Sequence, residues 1–233
     1  MASEEHRLSL LFVKERKKIN RMERIICLLV GYVFGLFQTG YFYGLTKHID
    51  IRKYGSGNAG TTNTLRTLGW KAGIITFIGD CLKSVLAVLA VKAIYSGHDM
   101  ISLLAMYAGM GVVLGHNYPV YMKFKGGKGI AATAGLILAT NPIMFLIVAV
   151  IFASIVLTTR YVSLGSLVVM VVFMIEVVVY GQMGGFALTG APLYEVYAIA
   201  LFLAVLGFVR HKANIKRLLS GTENKFGVIN KVA

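Results

Sequence analysis

Three lysines, three glycines and a histidine lie close together in "GHNYPVYMKFKGGKGIAATAG", residues 115–135, of an otherwise apolar chain. Gly126, Gly127 and Gly129 flank Lys128 directly before a segment that is predicted to be helical. Backbone N–H groups at a helix N-terminus bind anions, and the helix dipole adds a favourable potential there. The pattern therefore predicts a phosphate cradle, although it lacks the G-x-x-x-x-G-K-[ST] spacing of nucleotide-binding P-loops.

A second polar motif, "GSGNAGTTNTLRTLG" at residues 55–69, combines glycines with short hydrogen-bonding side chains. Ser56 and Asn58 are two of these side chains, and Arg66 adds a planar fork that suits phosphate. The alternative is a flexible polar loop that caps two helices. The dinucleotide fingerprint G-x-G-x-x-G also matches here, but it requires a βαβ unit that an apolar helical chain does not supply.

A third group of polar residues lies in "RYVSLGSL" and in the tail "RHKANIKRLLSGTENKF". His211 and Asn214 are three residues apart, so one helix face presents both. Either Ser163 or Ser166 could face a ligand, and the sequence leaves that choice open. The alternative is that the cations of the tail only extend to the membrane surface.

Two polar sites lie deeper in apolar segments. Asp80 and Lys83 are spaced to form an ion pair within one helix, which would be structural or functional. His116 could serve as a general base or could be a structural histidine that closes its loop.

The elements that position these residues are predicted to be membrane helices. The chain is 57% hydrophobic and only 15% charged, with a mean hydropathy of +0.71, whereas soluble domains are about one-quarter charged. Apolar runs of about 20 residues can cross a hydrocarbon core about 30 Å thick. The predicted fold is an all-α integral membrane protein, a bundle of about seven transmembrane helices with short, glycine-rich cytoplasmic loops. Its apolar segments cover 25–46, 72–95, 100–115, 129–141, 143–158, 161–181 and 193–209.

The distribution of basic residues predicts which side of the bundle faces the cytoplasm. The loop 47–71 holds five Lys or Arg residues, the loop 116–128 three and the tail from Arg210 six, whereas Lys92 stands alone on the opposite side. Because basic residues favour the cytoplasmic side, all three polar motifs are predicted to lie there. The net charge of +14 then indicates anionic lipid or substrate rather than nucleic acid.

The predicted domain organisation has three parts. Residues 1–21 are a basic N-terminal extension, disordered or a surface helix, unless Met22 is the true start. A single transmembrane domain covers 22–226, and a short tail covers 227–233. The N-terminus does not resemble a signal peptide, because a long apolar run follows without an A-x-A-like site.

Glycine-flanked cations on one membrane face predict phosphorylated ligands, and the adjoining apolar walls suit a lipid tail. The motifs "SGNAGTTNTLRTLG", "GHNYPVYMKFKGGKGIA", "VSLGS" and "HKANIKRLLSGTENKF" resemble those of the bacterial acyl-phosphate:glycerol-3-phosphate acyltransferases, the PlsY family. The resemblance extends from about Met22 to Phe226. One departure is "GLFQTG" at 35–40, where the family has G-S-x-P-T-G, which is expected to remove a proline kink.

The resemblance implies a multi-pass enzyme of the bacterial cytoplasmic (inner) membrane whose active site faces the cytoplasm. It would move an acyl chain from acyl phosphate to the 1-hydroxyl of glycerol 3-phosphate, releasing lysophosphatidate and inorganic phosphate. Its partners would be these two substrates and membrane lipid, without nucleic acid, cofactor or metal. Transfer would be direct, with a substrate phosphate as a candidate base.

The resemblance also assigns roles to residues of the three motifs. It implies catalytic roles for Ser56, Arg66 and Lys128. It implies substrate binding by Asn58, Gly126, Gly127, Gly129, Ser163, His211 and Asn214.

Three other classes of protein fit the sequence less well. Acyl-CoA-dependent glycerolipid acyltransferases usually carry His-x-x-x-x-Asp, and no histidine of this chain has aspartate at that spacing. An organic-phosphate transporter is the main alternative, but it would more often show repeated halves and polar groups across the bilayer. A passive membrane subunit would leave the glycine–lysine clusters unexplained.

Overall fold

The computed structural model describes residues 21–227, a part of the chain in which no β-strand occurs. The extension predicted for 1–21 and the tail predicted for 227–233 therefore lie almost wholly outside the described residues. The described α-helices are α1 (Arg21–Leu36), α2 (Thr39–Leu45), α3 (Thr61–Leu68), α4 (Trp70–Ile94), α5 (Ile101–Asn117), α6 (Ile130–Thr140), α7 (Pro142–Thr159), α8 (Val162–Gln182), α9 (Ala191–Arg210) and α10 (Lys212–Leu219).

Five segments of the described chain are long and apolar enough to cross a membrane. They are α1 with α2, α4, α7, α8 and α9. Helices α5 and α6 are also apolar, but they have 17 and 11 residues. The all-helical class predicted from the sequence is confirmed.

The predicted apolar segments coincide with helices to within a few residues. The boundary between the predicted segments 129–141 and 143–158 is present as the start of α7, where the side chain of Asn141 accepts from the N–H of Ile143 at 2.7 Å and Pro142 is the first helical residue. These are ordinary signals of a helix N-terminus. Two helices of eight residues each lie outside the predicted apolar segments, α3 in the loop 47–71 and α10 in the tail that follows α9.

The first apolar segment is broken between α1 and α2, although the expected proline is replaced by Gln38. The side-chain amide of Gln38 donates to the carbonyls of Gly35 and His116, both at 3.1 Å. The ammonium of Lys83 donates to the carbonyl of Phe37 at 2.7 Å. These side chains satisfy backbone groups that a continuous helix would pair internally. The expected loss of the kink is therefore wrong, because hydrogen bonds maintain it here.

Helices α1 and α5 pack closely through glycines. A Cβ atom on Gly31 would lie 1.9 Å from the carbonyl oxygen of Ala108, and one on Gly111 would lie 2.1 Å from that of Leu28. Small residues allow membrane helices to approach at backbone distance, where van der Waals contact stabilises the pair. This contact fixes the end of α5 beside the break between α1 and α2, and His116 lies there.

Candidate active site

A cavity of about 210 Å³ lies at one end of the bundle. It brings together polar residues from all three sequence motifs. Of the ten predicted site residues, the cavity is lined by Ser56, Asn58, Arg66, Lys128, Gly129, Ser163, His211 and Asn214.

The N-termini of three helices converge on this cavity. Thr61, Ile130 and Val162 are the first residues of α3, α6 and α8, and all three line the cavity. Unpaired N–H groups and the positive end of the dipole favour an anion at each such terminus. The arrangement suits a ligand with more than one negative group.

The side chain of Asn63 holds the motif 55–69 in its conformation. The sequence did not distinguish this residue from the other polar residues of the motif. Its side-chain oxygen accepts from the Ser56 N–H at 2.7 Å and from the Ser56 hydroxyl at 3.1 Å. Its amide nitrogen donates to the carbonyls of Ile51 and Tyr54. Asn58 closes the next turn by accepting from the Gly60 N–H at 2.9 Å. Ser56 and Asn58 therefore reach the cavity from a rigid loop.

Lys128 is oriented by a chain of hydrogen bonds that ends at Glu223. The Lys128 ammonium donates to the Asn214 side-chain oxygen at 2.5 Å, and the Asn214 amide donates to Glu223 at 2.8 Å. Arg217 donates to the second oxygen of Glu223 at 2.7 Å. Sequence reasoning missed Glu223, although the acidic residue in a basic tail was a signal that could have identified it.

The electrostatic environment of Lys128 weakens its hold on a proton. Burial lowers the pKa of Lys128 to about 8, assisted by the positive charges of Arg217 and Arg66 and opposed by Glu223. Burial is also the largest cause that lowers the pKa of Arg66. The cavity thus brings together cations whose positive charge an incoming anion would neutralise.

We expect kcat/KM for glycerol 3-phosphate, the acceptor that the sequence resemblance implies, to fall as the pH rises through about 8. A lysine whose pKa is lowered to about 8 is charged below that pH and loses its charge above it. The substrate phosphate is already a dianion there, because its second pKa is about 6. A pH profile with Lys128→Arg as comparison tests this, since arginine stays charged. An identical falling limb in both proteins would contradict the assignment to Lys128.

Gly126 and Gly127 do not line the cavity, and their amides are already used. The Gly126 N–H donates to the Asn117 carbonyl at 3.1 Å, and the Gly127 N–H donates to the His116 carbonyl at 3.0 Å. Arg210 donates to both glycine carbonyls, at 3.1 and 2.8 Å. The expectation that these two glycines present amides to a ligand is therefore corrected. They hold the loop, and only Gly129, with φ +85°, reaches the cavity.

His211 is held as a neutral acceptor. Its Nδ1 lies 2.8 Å from the carbonyl oxygen of Gly207, so Nδ1 carries the proton and Nε2 is left as the acceptor. Burial, reinforced by the charge of Lys128, lowers the pKa of His211 to about 4. The ring can therefore accept a hydrogen bond from a ligand hydroxyl.

The two serines of α8 both line the cavity but differ in their hydrogen bonds. The Ser166 hydroxyl donates to the carbonyl of Val162 at 2.8 Å. The Ser163 hydroxyl is buried and has no hydrogen-bond partner among the described residues. This difference favours Ser163 as the serine that meets a ligand.

The predicted pair of Asp80 and Lys83 is confirmed, with 3.1 Å between Lys83 Nζ and Asp80 Oδ1. Lys83 also lies 2.8 Å from Nδ1 of His116. A Cβ atom on Gly127 would lie 1.9 Å from Nε2 of His116, so the imidazole packs directly against the glycine–lysine loop. These contacts support the interpretation of His116 as the residue that closes this loop.

Part of the wall of the cavity is apolar. It includes Phe77 of α4, Ile130 of α6, and Phe152 and Val156 of α7. An anionic head and an apolar tail can therefore be held side by side.

Comparisons with known proteins agree on one activity. A family model described as "Glycerol-3-phosphate acyltransferase" matches residues 25–221. The glycerol-3-phosphate acyltransferase of Thermoanaerobacter sp. (strain X514) is 41% identical over 88% of this chain and 97% of its own. That of Clostridioides difficile (strain 630) is 42% identical over 87% of this chain and 95% of its own.

Two solved structures are similar to this chain. The crystal structure of PlsY (YgiH), an integral membrane glycerol 3-phosphate acyltransferase, in its glycerol 3-phosphate form has a TM-score of 0.75 and 33% identity. It covers 88% of this chain and 96% of its own. The lysophosphatidic acid form has a TM-score of 0.73 and 32% identity, with the same coverage.

Proposed function

The chain belongs to the glycerol-3-phosphate acyltransferase family, and from that premise we propose that its acyl donor is an acyl phosphate. It is an integral membrane acyltransferase of phospholipid synthesis that acts on glycerol 3-phosphate. With this donor, the products are lysophosphatidate and inorganic phosphate.

One observation carries the choice of donor: three helix N-termini and two cations, Arg66 and Lys128, share one cavity with a partly apolar wall. Glycerol 3-phosphate brings one phosphate. An acyl phosphate brings a second phosphate attached directly to the acyl carbonyl, and its chain matches Phe77 and Phe152. The protein would contribute proximity and electrostatic stabilisation of two anions that repel each other in water.

The reaction then needs no covalent intermediate on the protein. The 1-hydroxyl oxygen attacks the acyl carbonyl carbon, the bond from that carbon to the phosphate oxygen breaks, and phosphate leaves with the electron pair. The hydroxyl proton passes to a phosphate oxygen. Arg66 and Lys128 stabilise the departing charge, and Ser56 orients a substrate phosphate.

The substrate-binding roles follow the lining of the cavity. We assign phosphate contacts to Gly129 and Ser163, and hydroxyl or phosphate contacts to His211. Asn58 and Asn214 complete the polar wall, and Asn214 also holds Lys128. Gly126 and Gly127 support the loop from behind.

The placement in the membrane is part of the same proposal. Helices α5 and α6 would complete a bundle of seven spans within one domain over residues 22–226. The positive-inside rule would place the cavity at the cytoplasmic face of the bacterial inner membrane.

The test is reconstitution of the purified protein with labelled glycerol 3-phosphate and either palmitoyl phosphate or palmitoyl-CoA. We expect lysophosphatidate with palmitoyl phosphate only. Equal product with palmitoyl-CoA would contradict the donor assignment. Label that accumulates inside sealed vesicles without any acyl product would instead indicate the transporter alternative.

A further inference from the structure

Asp80 is a buried carboxylate in the wall of the cavity, and the proposed reaction does not use it. The Thr39 hydroxyl donates to its Oδ1 at 3.1 Å, and Lys83 Nζ lies 3.1 Å from the same oxygen. His116 Nδ1 also approaches Oδ1, at 3.8 Å. Within residues 21–227 the hydrogen bonds and ion pairs of Asp80 thus involve Oδ1, and Oδ2 remains available as an acceptor.

Asp80 lies at the same depth as the predicted phosphate-binding elements. The thiol of its neighbour Cys81 donates to the carbonyl of Ala131 at 3.1 Å, and Ala131 is the second residue of α6. Ala131 follows Lys128 by three residues in the sequence. Asp80 therefore lines the cavity together with Lys128 and the first residues of α6.

Contacts around Thr39 place Asp80 close to the motif 55–69. A Cβ atom on Gly79 would lie 2.6 Å from the Thr39 hydroxyl, and one on Gly40 would lie 2.5 Å from the carbonyl oxygen of Ala59. The donor that fixes Oδ1 of Asp80 is thereby packed beside the loop that carries Ser56.

The other carboxylate that lines the cavity, Glu223, has both oxygens occupied by Asn214 and Arg217. Asp80 is thus the lining carboxylate that keeps an oxygen for a ligand. A carboxylate repels a phosphate but accepts hydrogen bonds from hydroxyl groups. The free oxygen of Asp80 must then face an uncharged polar group of a substrate, such as a hydroxyl.

We infer that Oδ2 of Asp80 accepts a hydrogen bond from the 2-hydroxyl of glycerol 3-phosphate and so selects a polyol phosphate. The inference rests on the proposed function of this cavity. The 1-hydroxyl must turn towards the acyl carbonyl, so the 2-hydroxyl is the donor left for Asp80. Asp80 thereby determines acceptor specificity and fixes the orientation of the glycerol carbons.

The substitution Asp80→Asn changes the group that faces the ligand from an acceptor to a donor, so the direction of the hydrogen bond to the ligand is reversed. The Thr39 hydroxyl and Lys83 both donate, so the amide oxygen of asparagine takes the place of Oδ1. The NH₂ group then faces the cavity, where a donor replaces an acceptor. The shape of the side chain is unchanged.

The experiment compares glycerol 3-phosphate with 3-hydroxypropyl phosphate, which lacks the 2-hydroxyl, in the wild type and in Asp80→Asn. We expect the wild type to prefer glycerol 3-phosphate by about 10- to 100-fold in kcat/KM, as for a hydrogen bond to a charged group. In Asp80→Asn we expect this preference to fall several-fold, because the asparagine amide gives the 2-hydroxyl a neutral hydrogen bond in place of a charge-assisted one. Equal losses for both substrates, or an unchanged preference, would overturn the inference.

Glu223→Gln is the matched control, since it neutralises the other lining carboxylate. It should lower activity towards both substrates through Lys128 and leave their ratio unchanged. A ratio that falls as far as in Asp80→Asn would show a general effect of charge and overturn the inference. A wild type without acyl transfer to glycerol 3-phosphate would contradict the proposed function instead.

A test on the wild type alone covers the case in which Asp80→Asn does not fold. The analogue 2-deoxy-2-fluoroglycerol 3-phosphate keeps an electronegative group at position 2 but cannot donate. Opposite a carboxylate acceptor it should react no better than 3-hydroxypropyl phosphate. A recovery of kcat/KM towards that of glycerol 3-phosphate would mean that a donor faces position 2, and Asp80 would be excluded.

Discussion

Lys128→Met is expected to lower kcat/KM for glycerol 3-phosphate by about 100- to 1,000-fold. The loss of one preorganised electrostatic donor in a site that excludes water typically has this size. Lys128 is positioned at 2.5 Å from Asn214 before any ligand arrives, so its charge needs no reorganisation on binding. Steady-state acyl transfer in nanodiscs measures the effect.

Lys125→Met is the control for this substitution, because Lys125 is exposed on the same loop and does not line the cavity. It should retain nearly full activity. Lys128→Met itself should still fold, since methionine keeps a long, flexible apolar side chain at this position. Near-normal kcat/KM in a well-folded Lys128→Met protein would contradict the assignment of the site.

Much of the architecture could be predicted because apolar length is a strong signal. The predicted segment 72–95 agrees with α4 (Trp70–Ile94), and 193–209 agrees with α9 (Ala191–Arg210). Helices α3 and α10 could not be predicted in the same way. Each has only eight residues and a mixed polar sequence, and a helix this short is marginal in water without tertiary packing.

The break at Gln38 shows a second limit of sequence reasoning. A proline signature predicts a kink from one residue, whereas this kink depends on side-chain and backbone groups far apart in sequence. Lys83 reaches the Phe37 carbonyl across 46 positions. A contact of that kind follows only from the packed helices.

The residues of the candidate site also fall into two groups, those that the sequence could identify and those that it could not. Arg66, Lys128 and Asn214 could be selected by residue type and motif, and all three line the cavity. Their supports could not be selected so easily, because Glu223 acts through Asn214 and the glycine loop is held by Arg210. Motifs identify groups that line the cavity, whereas the residues that hold these groups are recognised from hydrogen bonds.

Arg66→Ala is expected to lower kcat/KM for glycerol 3-phosphate by about 100-fold or more, with Arg66→Lys recovering part of the loss. Arg66 lines the cavity, and a guanidinium binds a phosphate with two parallel hydrogen bonds that a lysine cannot reproduce. The same side chain also donates to the Asn224 carbonyl at 3.2 Å. Loss of activity could therefore arise from the phosphate contact or from release of the C-terminal segment, residues 222–227.

Arg160→Ala separates these two explanations. Arg160 donates to the Phe226 carbonyl through Nε at 3.2 Å and through Nη2 at 3.0 Å, yet it does not line the cavity. Arg160→Ala removes two side-chain hydrogen bonds to the C-terminal segment, whereas Arg66→Ala removes one. If Arg66 acts on phosphate, Arg160→Ala should stay within a few-fold of the wild type in kcat/KM. Equal losses in the two variants would assign the effect to the C-terminal segment and remove Arg66 from the catalytic set.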